Sequence, residues 1–360
     1  MTTVNFRSQI EMVRKTNGYP TRMEKLKQKA NFDVRITASQ EVISYLTPRV
    51  RRLMETIPAE ELVELEEIRM RLGRILLLRI GTKELGVTLD GRLTTRLEEG
   101  VEMTTEDLHK TLQIVSQSSI YALEEEFRNG FLTLPGGHRV GLVGQTVLEK
   151  GRIKTLKYIS GLNFRIGRQV LGAADRIMAY LINPQNRSVY HTLLISPPKA
   201  GKTTLLRDII RQLSNGIPEL GFPGVNVGLV DERSEIAGCY AGVSQKEIGL
   251  RTDVLDRCPK AKGMIMLLRS MSPQVVATDE IGRREDAEAI EDLLNAGVTV
   301  ITTVHGVSLV DLRMRPVIRD LITQKIFERF VLLSYARGPG TIEAIIDGRT
   351  ERPLLGQYVT

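Results

Sequence analysis

Ser196-Pro197-Pro198-Lys199-Ala200-Gly201-Lys202-Thr203-Thr204 is the stretch on which the fold turns. An apolar run, His191–Ile195, leads into it, and a helical pattern, Leu205–Leu213, leads out. A glycine-bearing loop between strand and helix leaves backbone N–H groups free to surround a phosphate at the helix N-terminus. Lys202 can reach the β- and γ-phosphates of a nucleoside triphosphate, and the Thr203 hydroxyl can ligand Mg²⁺. Ser196, Pro197, Pro198, Lys199, Ala200, Gly201, Lys202, Thr203 and Thr204 are therefore the expected nucleotide-binding residues, in a Walker A arrangement. That pattern usually opens with glycine, where Ser196 stands here. Serine would strain the turn if its φ were positive. The bland alternative is an ordinary strand–helix turn.

A second apolar run, Val275–Thr278, ends in Asp279-Glu280. Asp279 is the expected Mg²⁺ partner, and Glu280 the base that polarises an attacking water. An acidic pair after a strand is commonly only a helix N-cap; with the phosphate loop it completes an ATPase site. Between the two motifs, Val225–Val230 ends in Asp231-Glu232-Arg233. An extra strand there fits RecA-like motor ATPases rather than simple kinases or small GTPases. All three residues are expected to face one crevice, since ligands of open sheets bind at the carboxyl ends of the strands. Glu232 would support the water or metal, and Arg233 would act on a neighbouring subunit's γ-phosphate. For Arg233 alone the alternative is a solvated turn with a salt bridge. Val298–Thr303 runs into His305, expected to sense the γ-phosphate. His109, His138 and His191 show no metal-ligand spacing.

The rest of the chain divides around these motifs. Residues 1–38 are polar and aperiodic, and are expected to form a flexible basic arm. Residues 39–170 read as an α+β domain. Ile43, Leu46, Val50, Leu53 and Ile57 recur at helical spacing, although Pro48 limits or kinks that helix. Strand patterns follow over Glu67–Ile80, Phe131–Leu134, Val140–Leu148 and Leu156–Ile166, with helices opening at Thr105 and over Tyr121–Phe127. Residues 171–348 alternate short apolar strands, including Thr192–Ser196 and Arg329–Ser334, with helices. That alternation predicts a mainly parallel sheet covered on both faces. Residues 349–360 are expected to be a loosely attached tail.

Composition sets the outer limits. The chain has 360 residues, 42% apolar and 26% charged, ordinary for a globular protein of two domains. Its two cysteines, Cys239 and Cys258, exclude a disulfide framework and a four-cysteine zinc site, and fit a reducing cytoplasm. No apolar run approaches the ~20 residues of a spanning helix, and the N-terminus has no secretory h-region. Residues 1–52 hold eleven Lys or Arg against four acids, which accounts for the whole net charge of +7. The remainder is neutral, so nucleic acid is not an expected partner of the globular part.

Longer strings carry a family resemblance. Leu268-Arg269-Ser270-Met271-Ser272-Pro273-Gln274 through Gly282 resembles the stage III sporulation protein AA family of endospore-forming bacteria. So do Val300–Gly306, Ser119–Glu126 and Phe131–Gly141, and the likeness spans about residues 45–345. That family is in turn similar to the secretion and pilus-motor ATPases of type II and type IV systems. The resemblance implies a RecA-like P-loop ATPase domain behind a smaller α+β N-terminal domain, using ATP and Mg²⁺. It also implies a homo-oligomer, a hexameric ring, attached peripherally to membrane channel proteins on the mother-cell side. By the same resemblance Asp231-Glu232 match an Asp-box and His305 a His-box, Arg165 and Arg168 near the interdomain junction are candidates to reach the nucleotide, and Arg269 is a candidate ring contact. The leading function is an ATP-hydrolysing motor for a secretion-like channel. A nucleic-acid translocase and a nucleotide-binding scaffold with little turnover are the alternatives.

Overall fold

The computed structural model describes residues 37–117 and 124–356. Nearly all of the expected basic arm, the start of the expected Tyr121–Phe127 helix and the last four residues lie outside them. The chain separates into two compact units, with the change at Val170.

The first unit begins with helix over residues 37–44, then α1 (Pro48–Glu55), α2 (Thr105–Val115) and α3 (Glu124–Asn129). Pro48 does not kink one long helix. It starts a new one, at a first-turn position where its missing N–H costs nothing. Seven strands form one antiparallel sheet: β1 (Leu65–Arg71), β2 (Leu77–Ile80), β3 (Lys83–Val87), β4 (Leu93–Thr94), β5 (Phe131–Leu134), β6 (His138–Glu149) and β7 (Arg152–Arg165). Their order is β4-β3-β2-β1-β7-β6-β5. The single strand expected over Glu67–Ile80 is two, β1 and β2, because the chain reverses around Gly73 at φ 64°. One face of this sheet is apolar, and Ile68, Leu78, Val140 and Phe164 bury against Val50, Met54, Leu108 and Leu112 of the helices. The long β6–β7 ribbon runs past that core, and its far end is exposed.

The second unit is built on eight strands: β8 (Thr192–Ser196), β9 (Val227–Asp231), β10 (Thr252–Asp256), β11 (Val275–Thr278), β12 (Thr299–His305), β13 (Arg329–Ser334), β14 (Thr341–Asp347) and β15 (Pro353–Gly356). The order is β10-β9-β11-β12-β8-β13-β14-β15, parallel from β10 to β13 and antiparallel beyond. Consecutive residues of β8 enter opposite cores, Leu194 on one face and Leu193 with Ile195 on the other. That is why Leu193, Leu194 and Ile195 are apolar in succession rather than alternating. The helix α5 (Lys202–Asn215), which follows the short α4 (Met178–Leu181), packs on one face. The other face is covered by α6 (Lys260–Met271), α7 (Arg284–Asn295), α8 (Leu309–Arg313) and α9 (Pro316–Thr323).

The mainly parallel, doubly covered sheet is the architecture the strand pattern predicts. Its edges differ from the expectation. β10 and β14 lie outside the expected strands, and the tail expected to be loose after Gly348 returns as β15, pairing with β14. Four residues are too few to show a period, and Leu355 gains its place only by packing on the core. Among the described residues, no helix is long and apolar enough to cross a membrane.

One junction of the first unit is quantifiable. Thr104 and Asp107 form a capping box at α2, and Arg49 donates to the same carboxylate. Burial raises the Asp107 carboxyl, but the Arg49 and Thr104 hydrogen bonds outweigh it and hold it at about 2. Asp107→Ala should cost about 1–2 kcal/mol at pH 7. The ionised carboxylate stabilises fully above its unfolded pKa near ~4 and is lost below that. The gap between variant and wild type in guanidinium denaturation should therefore narrow as pH falls from about 4 toward about 2.

Candidate active site

The phosphate loop leaves β8 and enters α5 directly, with Lys202 as the first helical residue. Ser196 is fully buried as the last residue of β8, paired with His305 of β12, and its backbone is not in the left-handed region. The substitution of glycine at this position therefore strains nothing. The positive φ angles fall further along, 65° at Lys199 and 93° at Gly201. Gly201 meets both constraints of its site, since a Cβ there would also lie 3.0 Å from the backbone nitrogen of Gly340. Ala200 and Lys202 are buried, whereas Thr203 and Thr204 are half-buried.

Glu280 is where the strand ends converge. Its carboxylate takes the Lys202 ammonium on Oε1, His305 Nε2 on the same oxygen at 2.9 Å, and Arg233 on Oε2 at 3.2 Å. Burial raises this carboxyl, but the Lys202 hydrogen bond and the charges of Lys202, Arg233 and His305 outweigh it and hold it below the usual range. The backbone of Glu280 sits at φ 47°, a conformation costing about 1–3 kcal/mol for a residue with a Cβ. Thr303 of β12 secures it, accepting the Glu280 N–H on Oγ1 at 2.9 Å and the Ile281 N–H on its carbonyl at 3.0 Å. Arg315 in turn donates to the His305 carbonyl.

Asp279 lies beside this cluster, 2% exposed, and among the described residues no hydrogen bond or ion pair holds its carboxylate. Burial first, then the charges of Asp231 and Glu280, push it up to about 6 against the pull of Lys260 and Lys202. A buried carboxylate without a partner beside the loop that carries Thr203 fits a Mg²⁺ site, which would supply the missing positive charge.

The three residues of the triplet at the end of β9 make different contacts. Asp231 turns into its own loop and accepts the N–H groups of Glu235, Ile236 and Ala237 at 2.8–2.9 Å. Burial raises its carboxyl, and those three bonds work against the rise. Glu232 is bound to Lys260, Nζ to Oε2 at 2.6 Å. Only Arg233 reaches Glu280. Of the other arginines, Arg168 is held by Glu64 and by the Leu65 carbonyl within the first unit. Arg165 and Arg269 are exposed.

Three supporting residues escape sequence reasoning. Lys260 opens α6 as one basic residue among several. Thr303 lies within a run of apolar and threonine residues. Arg207 is buried in α5 and donates to the carbonyls of Glu235 and Ile236, tying the Asp231 loop to the phosphate-loop helix. Burial lowers its pKa to about 10, against the charge of Asp231. Only its place on the inner stripe of α5, between Leu206 and Asp208, hints at this role.

The strand–loop–helix unit of β8 and α5, the carboxylate pair after β11 and the two strands separating β8 from β11 in sequence belong to a RecA-like fold. The fold is similar to that of the ATPase DotB of Legionella pneumophila, with TM-score 0.51 and 15% identity over 78% of this chain and 74% of that one. DotB of Yersinia pseudotuberculosis gives TM-score 0.51 and 13% identity, covering 80% of this chain and 75% of that one. Residues 37–353 match the family described as sporulation stage III, protein AA, and the chain belongs to that family. The stage III sporulation protein AA of Bacillus subtilis (strain 168) is 44% identical over 308 residues, 85% of this chain and 94% of that protein. Both the fold class and the family inferred from the motif strings are borne out.

The Asp231 contacts generate a test that separates structure from chemistry. Asp231→Ala leaves three backbone N–H groups without their acceptor inside a buried loop. It should lower stability by about 2–4 kcal/mol without any nucleotide present, as read by chemical denaturation. A residue acting only on bound nucleotide would leave that curve where it is.

Proposed function

We propose that this chain is an ATP-hydrolysing motor, assembled as a hexameric ring, that powers assembly of or transport through a secretion-like channel during endospore formation. The observation that carries the chemistry is the convergence of Lys202, Glu280 and His305 where the phosphate loop leaves β8. The family's sporulation name and the likeness to the DotB ATPases support the setting. In this reading the ring attaches peripherally to membrane channel proteins on the mother-cell side, and Arg233 and Arg269 supply contacts to neighbouring subunits.

Without nucleotide, Lys202 is neutralised by Glu280. Entry of the triphosphate gives Lys202 a more highly charged partner, and the backbone N–H groups of 199–203 close around the β-phosphate. Lys202 then leaves Glu280, whose freed carboxylate accepts a hydrogen bond from a water in line with the γ-phosphate. The water oxygen bonds to the γ-phosphorus, the bridging P–O bond to the β-phosphate breaks, and ADP leaves with that electron pair. The water's proton passes to Glu280 or directly to the phosphate formed. Bound at Thr203 and Asp279, Mg²⁺ would neutralise charge on the β- and γ-oxygens. His305 reports the γ-phosphate by exchanging its contact with Glu280 for one with phosphate, and Arg315 carries the change to α8 and α9.

Two substitutions separate binding from hydrolysis. Lys202→Ala should abolish both. Glu280→Gln should lower the steady-state ATPase rate at least ~100-fold, yet bind ATP at least as tightly as wild type, because Lys202 no longer has a carboxylate to leave. The measurement is phosphate release in parallel with equilibrium binding of ATP, with and without nucleic acid. Equal loss of binding in both variants contradicts the displacement step. Strong stimulation by nucleic acid supports a translocase instead.

A further inference from the structure

The β13–β14 turn, Tyr335-Ala336-Arg337-Gly338-Pro339-Gly340, is seated against the phosphate loop, and no part of the mechanism above uses it. Gly340 donates its N–H to the carbonyl of Ala200 at 2.8 Å, and a Cβ on Gly201, whose φ is already 93°, would lie 3.0 Å from the Gly340 nitrogen. The turn is also internally braced. Gly338 donates to the Tyr335 carbonyl at 2.9 Å, and Thr341 Oγ1 donates to the Gly338 carbonyl at 2.7 Å while accepting the Arg337 N–H. Such bracing holds a rigid turn whose large side chains remain outside. Tyr335 is 44% exposed, and Arg337 is exposed.

The strand order says what belongs there. Glu280, Asp279 and His305, placed at the terminal phosphate, lie on one side of β8, at the ends of β11 and β12. The turn lies on the opposite side, after β13. For a nucleotide with its γ-phosphate toward Glu280 and its β-phosphate in the loop, the side of β8 away from β12 is open to the nucleoside, and β13 and its turn lie there. Planar aromatic and guanidinium groups offer stacking faces to a base. We propose that Tyr335 and Arg337 form the base-binding wall of the phosphate-loop site, stacking on a purine. The proposal rests on the nucleotide-binding reading given above and extends it from the phosphates to the base.

The test compares MgATP with magnesium tripolyphosphate, which has the phosphates but no base, by calorimetry on the full chain. Tyr335→Ala combined with Arg337→Ala should weaken MgATP binding about tenfold or more and leave tripolyphosphate binding unchanged. Tyr335→Phe alone should retain MgATP affinity, because the ring is kept. Retained tripolyphosphate binding also shows that the turn and loop are still folded. Equal loss for both ligands, or no loss for either, overturns the proposal. A parallel Lys202→Ala arm separates the two levels. If it keeps both ligands, the phosphate-loop reading fails; if it loses both while the turn variants change nothing, only the base wall fails.

Discussion

One carboxylate, that of Glu280, is shared by a lysine, an arginine and a histidine that arrive from three other segments of the second unit. Removing any one would leave the others balancing a different charge in a half-buried setting, where ion pairs are screened far less than in open water. The pairing between Lys202 and Glu280 matters most. In the proposed mechanism a bound triphosphate replaces Glu280 as the partner of Lys202, and the carboxylate so released becomes available to a water.

The sheet makes that arrangement possible. Parallel strands bring β8, β9, β11 and β12 to one edge with their carboxyl ends together, so residues far apart in sequence meet there. Buried hydrogen bonds then fix the details. Thr303 holds Glu280 in a conformation it would otherwise avoid. Asp231 organises the loop that delivers Arg233, and Arg207 fastens that loop to the helix beginning at Lys202. Asp279 is a buried carboxylate that no described residue holds by a hydrogen bond or ion pair, and burial pushes its pKa up to about 6.

Much of this was legible from residue order alone. The central strands are short, apolar at successive positions and bounded by turns, and β8, β11 and β13 fall on the expected residues. The phosphate loop and the acidic pair after β11 are local signals, because their chemistry needs neighbours in sequence. What escaped was non-local. β10 and β15 are edge strands whose few residues are fixed by partners rather than by period. Asp231 and Glu232 look like Glu280 on paper, acids at a strand end. Their side chains differ only in what surrounds them, three backbone N–H groups for one and Lys260 for the other. Ser196 misled in the opposite sense: the departure from glycine suggested strain, but the loop places its left-handed residues at Lys199 and Gly201 instead.

The most direct measurement is a crystal structure of the chain with Mg²⁺ and a non-hydrolysable ATP analogue. The account predicts Lys202 Nζ on the β- and γ-phosphate oxygens, no longer on Glu280, with the Glu280 carboxylate turned to a water near the γ-phosphorus. A nucleotide bound elsewhere, or bound in the loop with the Lys202–Glu280 pair intact, would contradict it.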